Sequence, residues 1–564
     1  MVIAALSGAA YAQTAAQQVE AAQRAPTPRL EPLRGPSIRF TSQRPPENAE
    51  SIRFTLEEVI VDGAGAIDGQ ELQAAYADRL GQEVALTAVF EIAAALQEIY
   101  RDAGYVFTRA IVPAQEIGDG IVRIEVIEAR IENVVVEEPN GPVGPVIELV
   151  RRLVAPLEGK LNPTGEELER TLLILNNIPG VIRATAVPQP APDTRGGLIL
   201  YMNVEHDPVE GAIFADNRQI PGVGRALIGG AVTFNSYSGS GDTTTIAYFN
   251  SFGYLSDGFG ADDGPGDLDE RNTLQVTHSR YIGDDGLVGS VRGLYSRTKP
   301  GDDLASIDID GEQILFGAEL SFPLLTTRRE TLNVRGGLEL MNATTDVSSG
   351  ATRVTDDKLR SLYLTFDGLL RDDIGQTRFE LSLRQGLDVL GASDPDTDAQ
   401  LSRLDGRGDY TLLRASVERL FIVNEELSFQ LRAGGQLAAT PVLASEEFAI
   451  GGLTFGRGFD PSEFTGDDGF GLSAEWRYTQ PISVGEFAVT AEGYVFGDYG
   501  YISNKNEGEP GSQDLLSAGV GARFYFPDDL LLGVEMAFPL DQPLARTADT
   551  GKDARFFLNL QKVF

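Results

Sequence analysis

Residues 469–479 decide the fold of this chain, because their side chains alternate between apolar and polar. The sequence of this stretch is GFGLSAEWRYT. Its large apolar side chains and one alanine lie at even positions, namely Phe470, Leu472, Ala474, Trp476 and Tyr478. The polar side chains between them are Ser473, Glu475, Arg477 and Thr479. Because successive side chains of a β-strand point to opposite faces of the sheet, the stretch predicts a strand with one apolar and one polar face.

The same alternation recurs in sixteen segments between about residue 209 and the C-terminus. They span residues 211–217, 224–236, 242–254, 271–283, 285–298, 311–323, 328–342, 355–370, 375–390, 408–420, 424–438, 469–479, 485–498, 513–525, 530–539 and 555–564. Alternating segments of about ten residues are the sequence signature of a transmembrane β-barrel. We therefore predict a mainly β fold in which residues 208–564 form a sixteen-stranded transmembrane barrel. A soluble β-sandwich or solenoid is the alternative, but its outward face would not be so regularly Leu, Phe and Val.

The connections between these segments alternate in length. The even-numbered connections are short and include GDDG, TTRRE, DDIG, VNEE, PISVG and PDDL. The odd-numbered connections are mostly long and acidic, as at 255–270, 299–310, 391–407, 439–468 and 541–553. Bacterial barrels have short periplasmic turns and longer external loops. The alternation therefore supports the count of sixteen and places both ends of the barrel in the periplasm.

Two copies of one α/β unit precede the predicted barrel. Each copy has the order strand, helix, helix, strand, strand. The landmark glycines of the copies are separated by 76 or 77 residues, with Gly104 matching Gly180 and Gly120 matching Gly197. A steady offset indicates tandem domains rather than coincidence. We predict that these domains span residues 52–129 and 130–207.

The N-terminal segment carries three further features. Residues 1–12 end in an A-x-A cleavage site, Ala10-Tyr11-Ala12, and are interpreted as the remnant of a signal peptide. Residues 13–25 are rich in Ala and Gln and contain one Glu, a composition that favours a short helix. Residues 26–51 contain six prolines and predict a stiff, extended linker.

The composition argues against several classes of function. Asp and Glu total 83 against 46 Lys and Arg, which gives a net charge of −37. Phosphate backbones repel so acidic a chain, and we expect no nucleic-acid partner. The chain has no Cys and only two histidines, His206 and His278, which argues against a metal centre. No G-x-S-x-G, H-E-x-x-H or Walker motif occurs, so we expect neither an enzyme nor a cofactor.

Two short motifs lie where a long loop and a predicted strand meet. The loop at 439–468 contains Gly456-Arg457-Gly458-Phe459, and the thirteenth predicted strand runs into Phe496-Gly497-Asp498-Tyr499-Gly500. The parity of that strand directs Phe496 and Asp498 into the lumen. Because a guanidinium group pairs with carboxylates and stacks on aromatic rings, we expect Arg457 to bind Asp498 and to stack on Phe496 after the loop folds inward. The alternative is that Arg457 is a solvated loop charge.

Tandem βααββ units before a sixteen-stranded barrel resemble the two-partner secretion transporters, or TpsB type. These form the hemolysin secretion/activation protein family, within the superfamily of BamA-like POTRA-plus-barrel proteins. The resemblance implies that the α/β units are POTRA domains and that residues 13–25 are a plug helix that sits in the pore at rest. The family's loop tetrad is V-R-G-Y/F and its strand motif is F-x-D-x-G. Gly456 departs from the family's Val.

The C-terminal residue also resembles a family feature. Phe564 ends the chain, and behind it on the same parity lie Leu560, Leu558 and Phe556, although Lys562 interrupts the apolar series. This pattern is similar to the signal by which outer-membrane barrels reach their assembly machinery. The resemblance thus implies an outer-membrane protein that contacts lipid, lipopolysaccharide and that machinery, and we expect a monomer.

The implied function is secretion of a large, unfolded exoprotein of the TpsA type, without ATP. We expect the POTRA domains to hold it as an added strand on the edge strands Val106–Val112 and Val181–Val187. The candidate edge residues are Val106, Ile111, Val181 and Arg183. Two other functions stay open: a BamA-like factor that assembles other barrels, and a passive porin. A porin has no evident need of a periplasmic receptor, and BamA-like factors usually carry more POTRA domains.

Overall fold

The computed structural model describes residues 43–139, 141, 144–220, 223–252, 270–283, 285–301, 307–348, 350, 352–506, 508–540 and 554–564. The described residues divide into two compact units. The α/β unit runs to Pro208 and also includes Ser236–Gly241, and the β unit comprises Val209–Asn235 and the described residues from Asp242 onward. The segments predicted as a signal peptide and a plug helix lie outside the described residues, as do most of the linker, residues 255–269 and residues 541–553.

The first α/β domain contains five strands and two helices. The strands are β1 (Arg53–Thr55), β2 (Glu58–Asp62), β3 (Glu83–Ala85), β4 (Arg109–Ile111) and β5 (Ile121–Ile127), and the helices are α1 (Gly69–Gln73) and α2 (Thr87–Asp102). The main sheet has the order β2-β5-β4, with β2 parallel and β4 antiparallel to β5. Apolar residues at helical spacing on α2, including Ile92 and Leu96, pack against Val122 and Ile124 of β5.

The second domain repeats the three-stranded sheet and the two helices of the first, without a counterpart of the β1–β3 pair. It contains β6 (Arg130–Glu137), α3 (Val146–Val154), α4 (Gly165–Asn176), β7 (Val181–Pro190) and β8 (Gly197–His206), and its sheet has the order β6-β8-β7. Thr164 and Glu167 form a capping box at the start of α4, in which each side chain accepts the other's backbone N–H. β4 and β7 therefore occupy the same place in the two domains, at the outer edge of each sheet.

The edge strand of the first domain is shorter than the sequence predicts. Val106 was expected in this strand but lies in a turn, and β4 begins only at Arg109. The cause is the neighbouring Phe107, whose ring is buried in the core of the second domain. Val106 packs partly against that same core, so the segment leaves the sheet edge to join the two domains.

Sixteen antiparallel strands close into one barrel, which confirms the predicted fold class. They are β9 (Val209–Asp216), β10 (Ala226–Asn235), β11 (Thr243–Phe252), β12 (Arg271–Ile282), β13 (Leu287–Thr298), β14 (Asp310–Thr326), β15 (Glu330–Val347), β16 (Thr352–Asp372), β17 (Gly375–Gly386), β18 (Thr411–Ile422), β19 (Leu427–Ala438), β22 (Asp468–Val484), β23 (Phe487–Ser503), β24 (Ser512–Phe526), β25 (Leu530–Pro539) and β26 (Arg555–Val563). Two short strands, β20 (Phe448–Ile450) and β21 (Phe464–Gly466), form a separate hairpin in the loop between β19 and β22.

The outer face of the barrel is apolar. Large side chains of one parity are exposed there, as Leu472, Trp476, Val495 and Val520 illustrate. The intervening side chains, such as Glu475 and Asp498, are buried inside the barrel. This is the division between lipid and lumen that the alternation of residues 469–479 predicts. No helix in the described part of the chain is long and apolar enough to cross a membrane.

The barrel closes where β26 pairs with β9 over five residues, Asn559–Val563 against Ala212–Asp216. Side-chain bonds extend this seam, because Asn217 accepts from the Leu558 N–H at 2.8 Å and donates to the Phe556 carbonyl at 3.0 Å. Phe564 continues it at the other end, where its backbone exchanges two hydrogen bonds with Gly211. The C-terminal residue therefore lies at the junction of the first and last strands.

The strand order makes a prediction about sidedness. Leu404 is 88% exposed in the loop between β17 and β18, and Glu425 is exposed in the turn between β18 and β19. Because the chain has no native Cys, Leu404→Cys and Glu425→Cys each supply a single thiol. Intact cells should label Leu404→Cys with an impermeant maleimide, whereas Glu425→Cys should label only after permeabilisation. The reverse pattern would overturn the assignment of external loops.

Candidate functional site

The loop between β19 and β22, residues 439–467, folds against the inner face of the barrel wall. Its hairpin places Ile450 and Phe459 in an apolar cluster with Ile502 of β23 and Leu515 of β24. Gly500, the last residue of the strand motif, makes room for this contact, because a Cβ atom there would lie 2.8 Å from the Ile450 side chain. The strand motif thus provides a site for the loop as well as a carboxylate.

The tetrad itself forms the turn that carries Arg457. The φ of Gly456 is +112°, a conformation that side chains disfavour, and a Cβ there would lie 2.5 Å from Leu515. The Phe459 N–H donates to the Gly456 carbonyl at 2.9 Å, and Gly458 lies against the backbone of β25. Gly456 therefore permits a backbone conformation and a close approach to Leu515 that the family's Val would disfavour.

Arg457 is bound to the strand motif through its whole guanidinium group. Its Nε and Nη2 atoms lie 2.9 Å from the two carboxylate oxygens of Asp498, and its backbone N–H donates to the same carboxylate at 3.0 Å. Its Cζ atom lies 3.4 Å from the centroid of the Phe496 ring. The Arg457 side chain is only 3% exposed. The structure thus brings together the three residues that the sequence paired.

A second carboxylate, which the sequence did not single out as a partner, shares this arginine. Arg457 Nη1 lies 2.6 Å from Glu475 Oε2, and Glu475 also accepts hydrogen bonds from Arg477 and Arg523. Glu535 lies 3.6 Å from the same Nη1 atom. Glu475 stands on the lumen parity of its strand, which was visible in the sequence, but nothing local indicated its partner. The site is therefore a charge-compensated network.

The candidate edge residues of the α/β domains differ in their orientation. In β4, Ile111 pairs with Glu125 of β5, whereas the backbone of the next residue, Val112, bonds outward to the Gln43 side chain. In β7, Val181 and Arg183 pair with β8 across a bulge, whereas the backbone of Ala184 bonds outward to Asn176. Because orientation alternates along a strand, the N–H groups of Ile111 and Arg183 point into their own sheets. Ile111 and Arg183 therefore lie on the edge strands, but the outward N–H groups belong to their neighbours Val112 and Ala184.

Two models of known protein families match this chain. The family model described as haemolysin secretion/activation protein ShlB/FhaC/HecB matches residues 202–524, more than half of the chain. The chain belongs to this family. The model described as POTRA domain, ShlB-type, matches residues 54–129. The chain is accordingly an outer-membrane transporter of the protein-secreting type, with periplasmic POTRA domains, and not an enzyme.

Individual relatives show the same relationship over nearly the whole length. The heme/hemopexin transporter protein HuxB of Haemophilus influenzae strain 86-028NP is 23% identical over 554 residues, which cover 95% of this chain and 93% of HuxB. The outer membrane transporter CdiB of Dickeya dadantii is 21% identical over 502 residues, or 86% and 83% of the two chains.

Solved structures share the fold at lower identity. CdiB from Escherichia coli superposes with a TM-score of 0.68 at 17% identity and covers 97% of this chain and 95% of its own. BamA from Haemophilus ducreyi, in a form lacking POTRA domains 1–3, has a TM-score of 0.54 at 13% identity, with 91% and 100% coverage.

The inward loop of this transporter has further anchors near its ends. Glu446 accepts from Arg384 of β17 at 2.8 Å and from Arg414 of β18 at 2.9 Å. Asp460, which directly follows the tetrad, accepts from Arg225 at 3.2 Å and from Arg555 of the last strand at 2.6 Å. The loop is therefore bound to opposite sides of the barrel.

Arg403 joins three external loops in one cluster. It lies in the loop between β17 and β18, yet its side chain is only 2% exposed. Its Nη1 atom lies 2.6 Å from Asp467 of the inward loop, and its Nε atom lies 2.9 Å from Glu509 of the loop between β23 and β24. The Val442 carbonyl accepts from the same Nη1 atom at 2.6 Å. The sequence did not predict this cluster, because Arg403 is simply one of the basic residues in an acidic loop.

A cavity of about 830 Å³ remains between the inward loop and the barrel wall. Phe448, Leu453 and Phe455 of the loop line one side of it. Charged wall residues of both signs complete the lining, among them Arg335, Asp367, Glu380, Arg414, Glu418 and Arg432. The lumen is thus polar and partly filled by the loop.

The Arg457 network predicts a strong effect on secretion. Arg457→Ala leaves Asp498 and Glu475 buried without their shared cation, which is costly, so we expect secretion to fall at least tenfold. Arg457→Lys should also be defective, because an ammonium group cannot form the paired bonds of a guanidinium. Barrel folding is checked by heat-modifiable migration, and exposed Arg329→Ala is the matched control.

Reversing the pair tests whether the site is a network. The exchange Arg457→Asp with Asp498→Arg is not expected to restore secretion, because the new carboxylate would face Glu475 and Glu535. Full recovery of secretion in the double variant would show that Arg457 and Asp498 act as an isolated pair. Normal secretion by the Arg457→Ala variant would show that the network is not needed for secretion.

The Arg403 cluster also includes Glu447 of the inward loop, whose Oε1 atom lies 3.4 Å from Arg403 Nε, and this contact predicts a dependence on pH. Burial raises the pKa of Glu447 from an ordinary 4.5 to about 7, with Arg403 opposing and Glu509 and Asp467 adding to the rise. Because the pKa of Glu447 is raised while the three loops are joined, protonation of Glu447 at low pH stabilises the joined arrangement. This stabilisation is lost as the pH rises from about 4.5 through 7 and Glu447 ionises. In planar bilayers we expect openings to be more frequent at pH 8 than at pH 5. Glu447→Gln should abolish the difference, and an unchanged pH profile in that variant would contradict the assignment.

Proposed function

We propose that this transporter takes up one large exoprotein in the periplasm as an extended chain and passes it through the barrel past the inward loop. The observation that carries this proposal is the combination of a closed barrel with a loop anchored inside it and two periplasmic sheets with outer edge strands. A closed barrel has no free strand edge, so the POTRA domains are the part of the chain that offers backbone groups to an unfolded partner.

The edges recognise the backbone rather than particular side chains. Strand addition uses the N–H and C=O groups of the edge, which any extended polypeptide complements. This suits a transporter that must bind its passenger before the passenger folds. Energy for export would come from folding of the passenger outside the cell, which prevents its return. We also propose that the chain works as a monomer in contact with lipid and lipopolysaccharide, after insertion by the barrel-assembly machinery.

The lumen supports transit of a polypeptide rather than its retention. Its wall carries arginines and carboxylates that are already paired with one another, such as Arg335 with Asp367 at 2.7 Å. A passing chain therefore meets polar groups whose charges are largely satisfied and binds them weakly. Arg457 would hold the inward loop in the position from which it contacts the passing chain.

Deletion of the gene is the first test. Comparison of the proteins in the medium before and after deletion should show the loss of one large secreted protein, and restoring the gene should return it. Depletion of many outer-membrane barrels would instead favour a BamA-like assembly role. Loss of small-solute permeability alone would favour a porin.

A proline substitution tests the edge of the second POTRA domain. The N–H of Ala186 points outward, on the same parity as Pro188, which shows that proline is tolerated on this side of the strand. Ala186→Pro should therefore fold and insert normally but bind the exported protein at least about tenfold more weakly. Ala186→Val is the matched control, since it changes the side chain and keeps the N–H. Equal export by both variants would show that the edge strand of the second POTRA domain does not recognise the exported protein.

A further inference from the structure

Both POTRA edges are occupied at one residue by a carboxamide side chain. In the first domain, the Val112 N–H donates to Gln43 Oε1 at 2.8 Å, and Gln43 Nε2 donates back to the Val112 carbonyl at 3.3 Å. In the second domain, the Ala184 N–H donates to Asn176 Oδ1 at 2.8 Å, and Asn176 Nδ2 donates to the Ala184 carbonyl at 3.0 Å. The same reciprocal pair of bonds thus occurs at the sheet edge of both domains, directly after the last residue of β4 in the first and near the start of β7 in the second.

A carboxamide reproduces the hydrogen-bonding groups of a peptide bond. It offers one carbonyl oxygen and an N–H donor beside it, so it occupies an edge residue as a neighbouring strand would. The two side chains come from unrelated positions. Gln43 precedes the first domain, whereas Asn176 ends α4 and is also fixed by a 2.7 Å bond from its Nδ2 to the Leu172 carbonyl. The shared feature is therefore the bond to the edge, not the origin of the side chain.

Little of either edge remains for another strand while the carboxamides are in place. Orientation alternates along a strand, so the outward residues are Ala110 and Val112 on the first edge and Ala184 and Ala186 on the second. Pro188 and Pro190 continue the second edge on the outward side, and proline has no N–H to donate. In β4, and in β7 after the bulge at Val181/Arg183, only one outward residue beside each capped residue thus retains its N–H, and a ladder needs more than one.

We propose that Gln43 and Asn176 are placeholders for the backbone of the transported polypeptide, and that the polypeptide displaces them when it adds to the edge as a strand. This inference rests on the proposed function and specifies how its periplasmic site is regulated. The partner is an extended segment of any sequence that has free backbone groups opposite Ala110 and Val112, or Ala184 and Ala186. At rest, the carboxamides keep both edges from pairing with unrelated chains.

In this proposal the carboxamide side chains compete with the transported polypeptide for the strand edges, and this competition can be measured. A ligand that must displace an internal competitor binds with an affinity reduced by the fraction of sites that are free, so removing the competitor tightens binding. The probe is the purified N-terminal segment of the exported protein that the deletion comparison identifies. It is titrated against the full-length transporter in lipid nanodiscs. Asn176→Ala and Gln43→Ala should each bind it about three- to tenfold more tightly than the unaltered protein.

Two further variants make the result specific. Gln82→Ala removes a carboxamide whose Nε2 donates to the Asp78 carbonyl, away from both edges, and should leave binding unchanged. Asn176→Asp replaces the Nδ2 donor with a second oxygen, which the carbonyl oxygens of Ala184 and Leu172 repel. The side chain should therefore leave the edge, and this variant should bind the segment more tightly than the unaltered protein even if Asn176→Ala does not fold. Hydrogen exchange of the Ala184 and Val112 amides should accelerate in the corresponding alanine variants.

The outcomes separate this proposal from the proposed function. If the unaltered transporter binds the segment and neither Gln43→Ala, Asn176→Ala nor Asn176→Asp binds it more tightly, the placeholder role is wrong and strand addition stands. If the unaltered transporter does not bind the segment at all, recognition through these edges fails and the placeholder role falls with it. Self-association of the alanine variants without tighter binding would assign the carboxamides to edge protection alone and overturn the proposal.

Discussion

The interior of a lipid bilayer offers no hydrogen-bond partners, and this constraint governs the rest of the structure. Every backbone N–H and C=O group within the membrane must find a partner in the protein. The chain satisfies this requirement by closing sixteen antiparallel strands, with β26 bonded to β9. Closure also separates the side chains, so that the polar residues of the strands line one enclosed space. A charged loop can be held there in a fixed geometry.

The loop at residues 439–467 depends on charge compensation inside that space. Arg457, Glu446, Asp460 and Asp467 each meet groups of opposite charge on the wall or on another loop. Buried charges need such partners, because removing one partner leaves the other uncompensated at a cost of about 3–5 kcal/mol. Since the anchors lie far apart, displacing the loop requires several of them to break together. This favours two distinct arrangements of the loop over a gradual movement.

The POTRA domains meet the opposite requirement, because they must keep strand edges available in water. An unprotected edge pairs with any extended chain, and natural proteins shield such edges with short strands, prolines or covering groups. All three devices occur here: β4 has only three residues, β7 carries Pro188 and Pro190, and Gln43 and Asn176 bond to the edges. Protection by a side chain has the advantage that it is reversible. The edge remains usable by a polypeptide that binds it more strongly.

The number of barrel strands and the face on which each side chain lies could be predicted from the sequence, because a period of two is a local property of the chain. The sequence also led to the contact of Arg457 with Asp498 and Phe496, since the loop and strand were recognised by their motifs. The partners of Arg403 could not be predicted in this way, because they are 64 and 106 residues away and meet it only in the folded chain. Tertiary structure also shortened β4, because Phe107 joined the core of the other domain, and it set the direction of the edge N–H groups. Those features depend on register and on packing between distant segments, which no local pattern of residues encodes.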